Sequence, residues 1–260
     1  MAFITEGMSL RIPKGGLSIS VDDSGRPEVS LTALHVVYEI WPHWLEIAFD
    51  HAERSQGMRQ RLRGVETDNE SEKGRLLVEE CKAAMVGITS SVIGLDAFYA
   101  GVCERLPAYS ELRSRWASQK KKPSRSGQVS QVFHRAFRYE PNVYSRLVAA
   151  LKELYKIRDV AVHPSAGFQP PVQHDILSVG VEWRFATFTA TNAVKAVSLA
   201  CDIIHHSIGV PRASLPELGE WCEIARTKVE TVHERAVRLA ATTAVQQGGP
   251  DAGTGPSPGQ

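Results

Sequence analysis

Cysteine is scarce in this sequence, and a large excess of charge of either sign is absent. The 260 residues contain four widely spaced cysteines and no C-x-x-C pair. Such cysteines are typical of reduced thiols in a cytoplasmic protein and argue against a disulfide framework or a zinc site. The formal net charge is only +1, so the chain as a whole is not a polyelectrolyte partner for nucleic acid.

Long apolar runs and the common enzyme signatures are also missing. No apolar run reaches the roughly 18 residues that would suggest a membrane span, and residues 1–10 lack the pattern of a signal peptide. We therefore predict a cytoplasmic protein with no membrane contact. The sequence has no G-x-x-x-x-G-K-[ST], G-x-G-x-x-G after a strand, G-x-S-x-G or H-E-x-x-H, so we expect no cofactor and no catalytic metal.

Apolar residues recur at helical spacing over much of the chain, 43% of which is hydrophobic. This periodicity predicts an all-α protein, a bundle of about five helices over residues 32–244 that share one core. Pro42 is expected to kink or split the first helix. The predicted helices are Thr32–Arg63, Lys73–Arg105, Pro141–Val162, Thr191–Ser207 and Pro216–Thr243.

The segments outside these helices have different patterns. Alternating residues around a turn at Asp22–Pro27 predict a small β-hairpin cap over residues 1–31. Ile176–Thr187 is rich in β-branched and aromatic residues, which favours an extended segment. Residues 245–260 contain too few apolar residues to fold, so a disordered tail is predicted.

A basic insertion over residues 106–140 interrupts the helical pattern. Between residues 106 and 146, nine Lys or Arg face two Glu, a net charge of +7. Trp116, Phe133, Phe137 and Tyr139 are interleaved with this charge, and such a combination can hold single-stranded nucleic acid. The insertion can also be a solvated loop with a short helix at Val129–Arg138. The predicted RNA-binding residues are Lys120, Lys121, Lys122 and Arg125.

The stretch from Leu151 to Pro164 places an arginine, a carboxylate and a histidine near one helix end. Arg158 continues the apolar stripe of Leu147, Leu151 and Leu154, where a further aliphatic residue would be expected. Residues five apart lie about 140° apart around a helix, so Arg158 and His163 converge only through a break at residues 162–164 or a second copy of the chain. The plainer interpretation is that Arg158 pairs with a carboxylate and His163 closes the helix.

The segment Arg158-Asp159-Val-Ala-Val-His163 resembles the R-x4-6-H signature of the HEPN (higher eukaryotes and prokaryotes nucleotide-binding) superfamily. The upstream Gly94–Tyr99 segment resembles an acidic and aromatic pattern on an earlier helix of that family, and the resemblance covers about residues 76–208. Some members carry a tyrosine just after the histidine, whereas Pro164 and Ser165 follow here.

The resemblance implies a small helical bundle, often a metal-independent endoribonuclease, that dimerises so that two motifs face one cleft. It implies catalytic roles for Arg158, Asp159 and His163, and a toxin–antitoxin or phage-defence setting with a protein partner such as an antitoxin. A non-catalytic RNA- or protein-binding module is the alternative, because such members also exist.

Two further residue assignments remain open on sequence alone. Asp96 is either a surface carboxylate or a supporting partner for Arg158, since buried charges are normally paired. A runner-up metal cluster would combine His174-Asp175 with His163, His205 and His206.

Overall fold

The computed structural model describes residues 8–12, 15–66, 69–163 and 167–247. The chain divides into an N-terminal unit that ends at Ile40 and a helical unit that begins at Trp41. The predicted start of the bundle at Thr32 is therefore too early. Pro164, Ser165 and the tail after Gln247 lie outside the described residues.

Two antiparallel strand pairs make up the N-terminal unit. Strand β1 (Met8–Arg11) pairs with β4 (His35–Tyr38), and β2 (Leu17–Val21) pairs with β3 (Pro27–Leu31). The β2–β3 pair confirms the predicted hairpin, and its turn is stabilised by the Asp22 carboxylate, which accepts hydrogen bonds from the backbone N–H groups of Ser24 and Arg26.

The predicted helix over Thr32–Arg63 is wrong at its start, because β4 occupies part of that range. Leu34, Val36, Tyr38 and Ile40 alternate with period two, and pairing with β1 selects this period over the helical one. Pro42 does not kink a helix; it lies in the first turn of the helix that begins at Trp41, where its missing N–H group costs nothing.

The helical unit contains eight helices among the described residues and confirms the mostly helical class. Its only described strands are β5 (Val172–Gln173) and β6 (Gly180–Val181). The helices are α1 (Trp41–Arg63), α2 (Glu70–Glu104), α3 (Tyr109–Ser118), α4 (Arg125–Ala136), α5 (Pro141–Val162), α6 (Trp183–Thr187), α7 (Ala190–Gly209) and α8 (Pro216–Gln247).

Helix α2 lies at the centre of the core and packs against α1, α4, α5 and α7. Its Phe98 ring lies 5.7 Å from that of Trp41 and 5.1 Å from that of Trp221, centroid to centroid. By length and composition α2 is the one described helix that could cross a membrane, but 56% of its apolar window is buried in the structure, as in a core helix. Cytoplasmic location remains a prediction.

The basic insertion is neither a loop nor an aromatic stacking surface. It forms α3 and α4, and four of its five aromatic residues are buried in the core. Phe133 and Phe137 pack against the ring of Phe98, with centroids 5.8 and 6.4 Å away. Trp116 is held by a 2.9 Å hydrogen bond from its indole N–H to the Gln131 side chain. The buried aromatics are Trp116, Phe133, Phe137 and Tyr139.

Two smaller predictions also need correction. The segment Ile176–Thr187 is largely not extended; it contains β6 and then α6, whose first turn the Glu182 carboxylate caps by accepting from the Arg184 N–H at 2.9 Å. Helix α8 continues to Gln247, three residues into the predicted tail. The four cysteines are free and buried in α2, α7 and α8.

Candidate functional site: the cleft between α4 and α5

Helix α5 presents its predicted motif at its C-terminal end. Leu147, Leu151 and Leu154 are buried as expected, and the helix remains unbroken through Val162. His163 is exposed and forms the C-cap, with its backbone N–H donating to the Asp159 carbonyl at 2.8 Å. The side chains of residues 158–162 therefore keep helical spacing.

His163 lines an open cleft of about 530 Å³ between α5 and the start of α4, here called the α4–α5 cleft. Three cationic side chains, Arg125, Lys152 and Lys156, share this cleft with the imidazole and with a single carboxylate, Asp159. The other lining residues are Ser124, Ser126, Tyr155 and Val160. The excess of positive charge favours an anionic ligand.

The first turn of α4 adds to this preference. Ser124 is the N-cap, and its hydroxyl accepts a hydrogen bond from the Gly127 N–H at 3.3 Å. Because the N-terminus of a helix carries a partial positive charge, its position at the cleft also favours an anion.

Asp96 on α2 fixes the Arg125 side chain at the cleft. One oxygen of its carboxylate accepts from Arg125 Nε at 2.8 Å and from the Tyr155 hydroxyl at 2.6 Å. The Arg125 guanidinium also lies 4.3 Å from the centre of the Tyr99 ring. The alternative in which Asp96 pairs with Arg158 is wrong, because its carboxylate is bound to Arg125 and Tyr155 instead.

The pKa values of this trio follow from the same contacts. Burial, and then the neighbouring Asp96 carboxylate, raise the pKa of Tyr155 well above its ordinary value of 10.0, so its hydroxyl remains a proton donor. Burial alone would lower the pKa of Arg125, but the Asp96 carboxylate more than offsets this effect, and the pKa is raised above its ordinary value. Arg125 is thus a permanent cation.

Arg158 does not line the α4–α5 cleft. Its Nη1 donates to the Asp159 carboxylate at 3.0 Å, while its Nε is buried without a hydrogen-bond partner. A single chain therefore brings Asp159 and His163 to the cleft but not Arg158, as expected for five residues along an unbroken helix.

The predicted lysine run lies next to the cleft in sequence but does not line it. Lys120, Lys121 and Lys122 are exposed in the connection between α3 and α4, just before the Ser124 cap. Of the predicted RNA-binding residues, only Arg125 is among those that line the cleft.

Lys152, Tyr155 and Lys156 were missed as site residues by sequence reasoning. They precede His163 by eleven, eight and seven positions, so helical spacing counted back from the histidine would have placed them on its face. Ser124 could have been recognised as an N-cap, but nothing local indicates that its helix docks beside α5.

No metal centre is formed by the histidines considered from the sequence. Among the described residues, no group of three or more His, Cys, Asp or Glu side chains is placed to hold a metal ion. His174 is buried, whereas His163 is exposed at the end of α5, so the runner-up cluster is not brought together.

No family model, curated protein or solved structure matches this chain. The resemblance to the HEPN superfamily therefore rests on its motif and on the helical class.

Proposed function

We propose that the α4–α5 cleft binds the phosphate backbone of RNA and that the protein is a metal-independent, HEPN-like endoribonuclease. One observation carries this proposal: Arg125, Lys152, Lys156 and His163 line the same open cleft. Fixed positive charge can bind a phosphodiester, and an imidazole is the side chain best suited to proton transfer near neutral pH.

The proposed reaction uses the ribose 2′-hydroxyl as the nucleophile. His163 removes the 2′ proton while the 2′ oxygen bonds to phosphorus, and the bond from phosphorus to the 5′ oxygen breaks. The Lys156 ammonium donates the proton that the 5′ oxygen takes up. The products are a 2′,3′-cyclic phosphate and a 5′-hydroxyl, and the Arg125 guanidinium stabilises the negative charge that develops on the non-bridging oxygens.

Asp159 and Arg158 have supporting parts in this scheme. Asp159 precedes His163 by one helical turn and lines the same cleft, so its carboxylate can orient the imidazole. Arg158 holds that carboxylate at 3.0 Å. In a single chain Arg158 is thus a positioning residue that acts through Asp159.

A homodimer would bring a second copy of the motif to the groove. The family resemblance implies that two motifs face one groove, and a twofold axis near the end of α5 would place the two His163 side chains together. It would also provide a second imidazole for acid and base work on opposite sides of the phosphate. The resemblance also implies a protein partner such as an antitoxin, in a toxin–antitoxin or phage-defence setting.

A non-catalytic RNA-binding module is the second candidate. It is favoured by the position of Arg158, because the one guanidinium of the motif is not among the groups that line the cleft with His163. Under this alternative the cleft binds phosphate and the motif only closes the helix.

RNA cleavage in the presence of a chelator distinguishes the two candidates. We expect the protein to cut a labelled single-stranded RNA in excess EDTA and to leave 2′,3′-cyclic phosphate ends. The His163→Ala variant should cut about 10²- to 10⁴-fold more slowly, with RNA retention preserved. His43→Ala is the matched control, because His43 is also exposed but lies on α1, where it contacts Glu46 at 3.1 Å.

Each other outcome has a definite meaning. Retention of RNA without cleavage by the unaltered protein supports the non-catalytic module. Equal cleavage by the protein and its His163→Ala variant contradicts the catalytic assignment of His163.

A further inference from the structure

Helices α5 and α7 leave an open crevice between them, here called the α5–α7 crevice, with a volume of about 210 Å³. Val143, Leu147 and Ala150 line it from α5, while Leu199 and Ile203 line it from α7. All of its lining residues belong to the helical unit. The floor of the crevice is therefore aliphatic on both sides.

The Tyr139 hydroxyl at the floor of the crevice already has a partner within the protein. Tyr139 lies just before α5 and is buried, and its hydroxyl is hydrogen-bonded to that of Ser207. Because the Ser207 hydroxyl donates to the Ile203 carbonyl at 2.6 Å, it accepts from Tyr139. A ligand in the crevice therefore meets the aromatic ring of Tyr139, and the floor suits an apolar body.

Charged side chains stand at the mouth of the crevice. Arg146 on α5 and Asp202 on α7 both line it, and both are exposed. The Asp202 carboxylate is engaged within the protein, because Nε2 of His233 on α8 donates to it at 3.1 Å. Arg146 forms no ion pair with any residue that the structure describes. The unpaired charge at the mouth is therefore a cation, which favours an anionic head group.

His206 borders the same mouth beside Tyr139. The two rings are stacked, with their centroids 5.4 Å apart and their planes at 20°. The imidazole thus extends the flat aromatic wall of the crevice toward solvent, where it is exposed. Since an imidazole N–H is a hydrogen-bond donor, His206 adds a second donor group beside the Arg146 guanidinium.

The dimensions of the crevice restrict its ligand to a small molecule with a chain-like body. An apolar cavity of about 150 Å³ holds benzene, and drug-sized sites measure roughly 300–1,000 Å³, so the crevice lies between these sizes. From Val143 to Ala150 it extends about 10 Å along α5, at 1.5 Å per residue. An elongated shape of this volume fits an alkyl chain of several carbons.

We propose that the α5–α7 crevice binds a medium-chain fatty acid. The alkyl chain lies on Leu147, Ala150 and Ile203, and the carboxylate is bound by Arg146, whose planar guanidinium can donate two parallel hydrogen bonds.

This site is separate from the α4–α5 cleft. The two share no lining residue, and Ala150 and Lys152 lie about 200° apart around α5. Fatty-acid binding therefore goes beyond the proposed RNA cleavage and does not rest on it.

Isothermal titration calorimetry of the full chain with octanoate tests this assignment. We expect octanoate to bind at one site per chain. Acetate has the same head group without the chain, and octylammonium has the same chain with the opposite charge. Both should bind at least about tenfold more weakly, which corresponds to about 1.4 kcal/mol.

Two pairs of variants locate the binding in the crevice. Ala150→Leu fills the floor and should weaken octanoate binding at least about tenfold, whereas Ala149→Leu adds the same side chain at an exposed position of α5 and should leave it unchanged. Arg146→Gln should weaken the binding of octanoate about tenfold but not that of 1-octanol. Arg135→Gln, at an exposed position of α4, should weaken neither.

Several results would overturn the assignment. They are an unaltered protein that does not bind octanoate, an Ala150→Leu variant that binds it as tightly as Ala149→Leu, or an Arg146→Gln variant that binds it as tightly as the unaltered protein. Tighter binding of octylammonium than of octanoate would assign the mouth to Asp202 and a cationic ligand instead. The crevice and the α4–α5 cleft fail separately, because His163→Ala should bind octanoate normally.

Discussion

Two arginine–carboxylate pairs in the helical unit differ in how much water reaches them. In the first, the side chains of Arg59 and Glu80 are 8% and 2% exposed; in the second, those of Arg125 and Asp96 are 42% and 24% exposed. Both pairs have short contacts, of 2.9 and 2.8 Å. This difference in exposure separates a pair that joins elements of the fold from a pair whose arginine borders an open cleft.

The Arg59–Glu80 pair is largely shielded from water, although Arg59 also lines an open pocket together with Asp175 and Asn192. Arg59 bridges the carboxylates of Glu80 and Asp175, and Glu80 also accepts from the backbone N–H of Ala190, the first residue of α7, at 2.9 Å. The pair therefore links α1, α2 and the start of α7. A buried charge of this kind is costly to leave unpaired.

The Arg125–Asp96 pair is open on one side. Asp96 holds Arg125 through Nε, and the side chain faces a cleft that it shares with two lysines and His163. The buried pair therefore joins helices, whereas the open pair leaves a cation at a cleft that has an excess of positive charge.

The largest expected effect follows from removing the buried carboxylate. Glu80→Ala leaves the buried Arg59 with only the exposed Asp175 carboxylate as a partner, and it removes the acceptor of the Ala190 N–H. It should therefore lower the free energy of unfolding by about 3 kcal/mol. Asp96→Ala, at a partly exposed pair, should lower it by only about 1 kcal/mol. Urea denaturation of both variants measures the difference, and equal losses would remove the distinction between the two pairs.

Glu80→Gln sharpens the same experiment. It preserves the side-chain volume and an oxygen that can accept from the Ala190 N–H, but it removes the negative charge. Glu80→Gln should therefore lower the free energy of unfolding by less than Glu80→Ala does. A full loss in Glu80→Gln would assign the whole effect to charge, and no loss would assign it to the hydrogen bond and packing.

A smaller effect concerns pH and the buried His174 beside Asp175. The His174 Nδ1 accepts from the N–H groups of Ile176 and Leu177, both at 3.3 Å, so the ring proton is on Nε2, which is buried without a partner. Burial lowers the pKa of His174 below its ordinary value of 6.5. The folded state therefore binds this proton less readily than the unfolded state does.

Protonation of His174 should therefore destabilise the folded protein in acid. The contribution of His174 is fully present above pH 6.5 and is lost as the pH falls below that value toward the lowered folded pKa. Between pH 6.5 and 5.5 the loss should be about 1 kcal/mol or less, since one pKa unit corresponds to about 1.4 kcal/mol. As the pH falls over this interval, the unfolding temperature of the unaltered protein should decrease more steeply than that of His174→Gln.

His205 provides the internal control for that measurement. Burial, and then the neighbouring His233, lower the pKa of His205 as well, and its ring is stacked on that of His233 at 4.2 Å. Part of the pH dependence should therefore persist in His174→Gln. If the unfolding temperature of this variant depends on pH as steeply as that of the unaltered protein, His174 contributes nothing to the pH dependence.

The sequence was informative where a local signal coincides with the tertiary outcome. The bounds of α5 were predicted because Pro141 suits a first turn and the leucine stripe continues to the motif. The prediction failed at residues 35–38, where Leu34, Val37 and Tyr38 fit a helical stripe while Leu34, Val36 and Tyr38 fit an alternating strand. Pairing with β1, a contact distant in sequence, selects between the two periods.

The candidate site was predictable only in part for a similar reason. Arg125 was predicted from the basic charge of its segment, and Asp159 and His163 from the motif that resembles the HEPN signature. Their relative positions depend on how α4 docks on α2 and α5, and this docking is driven by the burial of Phe133 and neighbouring apolar residues. The partner of Asp96 could not be read from sequence, because Arg125 is 29 positions away on another helix.

The salt dependence of RNA binding by two matched double variants tests the central claim about the α4–α5 cleft most directly. Lys152→Ala/Lys156→Ala removes two cations from the cleft, and Lys120→Ala/Lys121→Ala removes two from the neighbouring connection. For a single-stranded RNA, loss of two phosphate contacts should reduce the slope of log affinity against log salt by about 1.4. We predict this reduction for the cleft variant and a smaller one for the connection variant; an unchanged slope in the cleft variant would contradict the account.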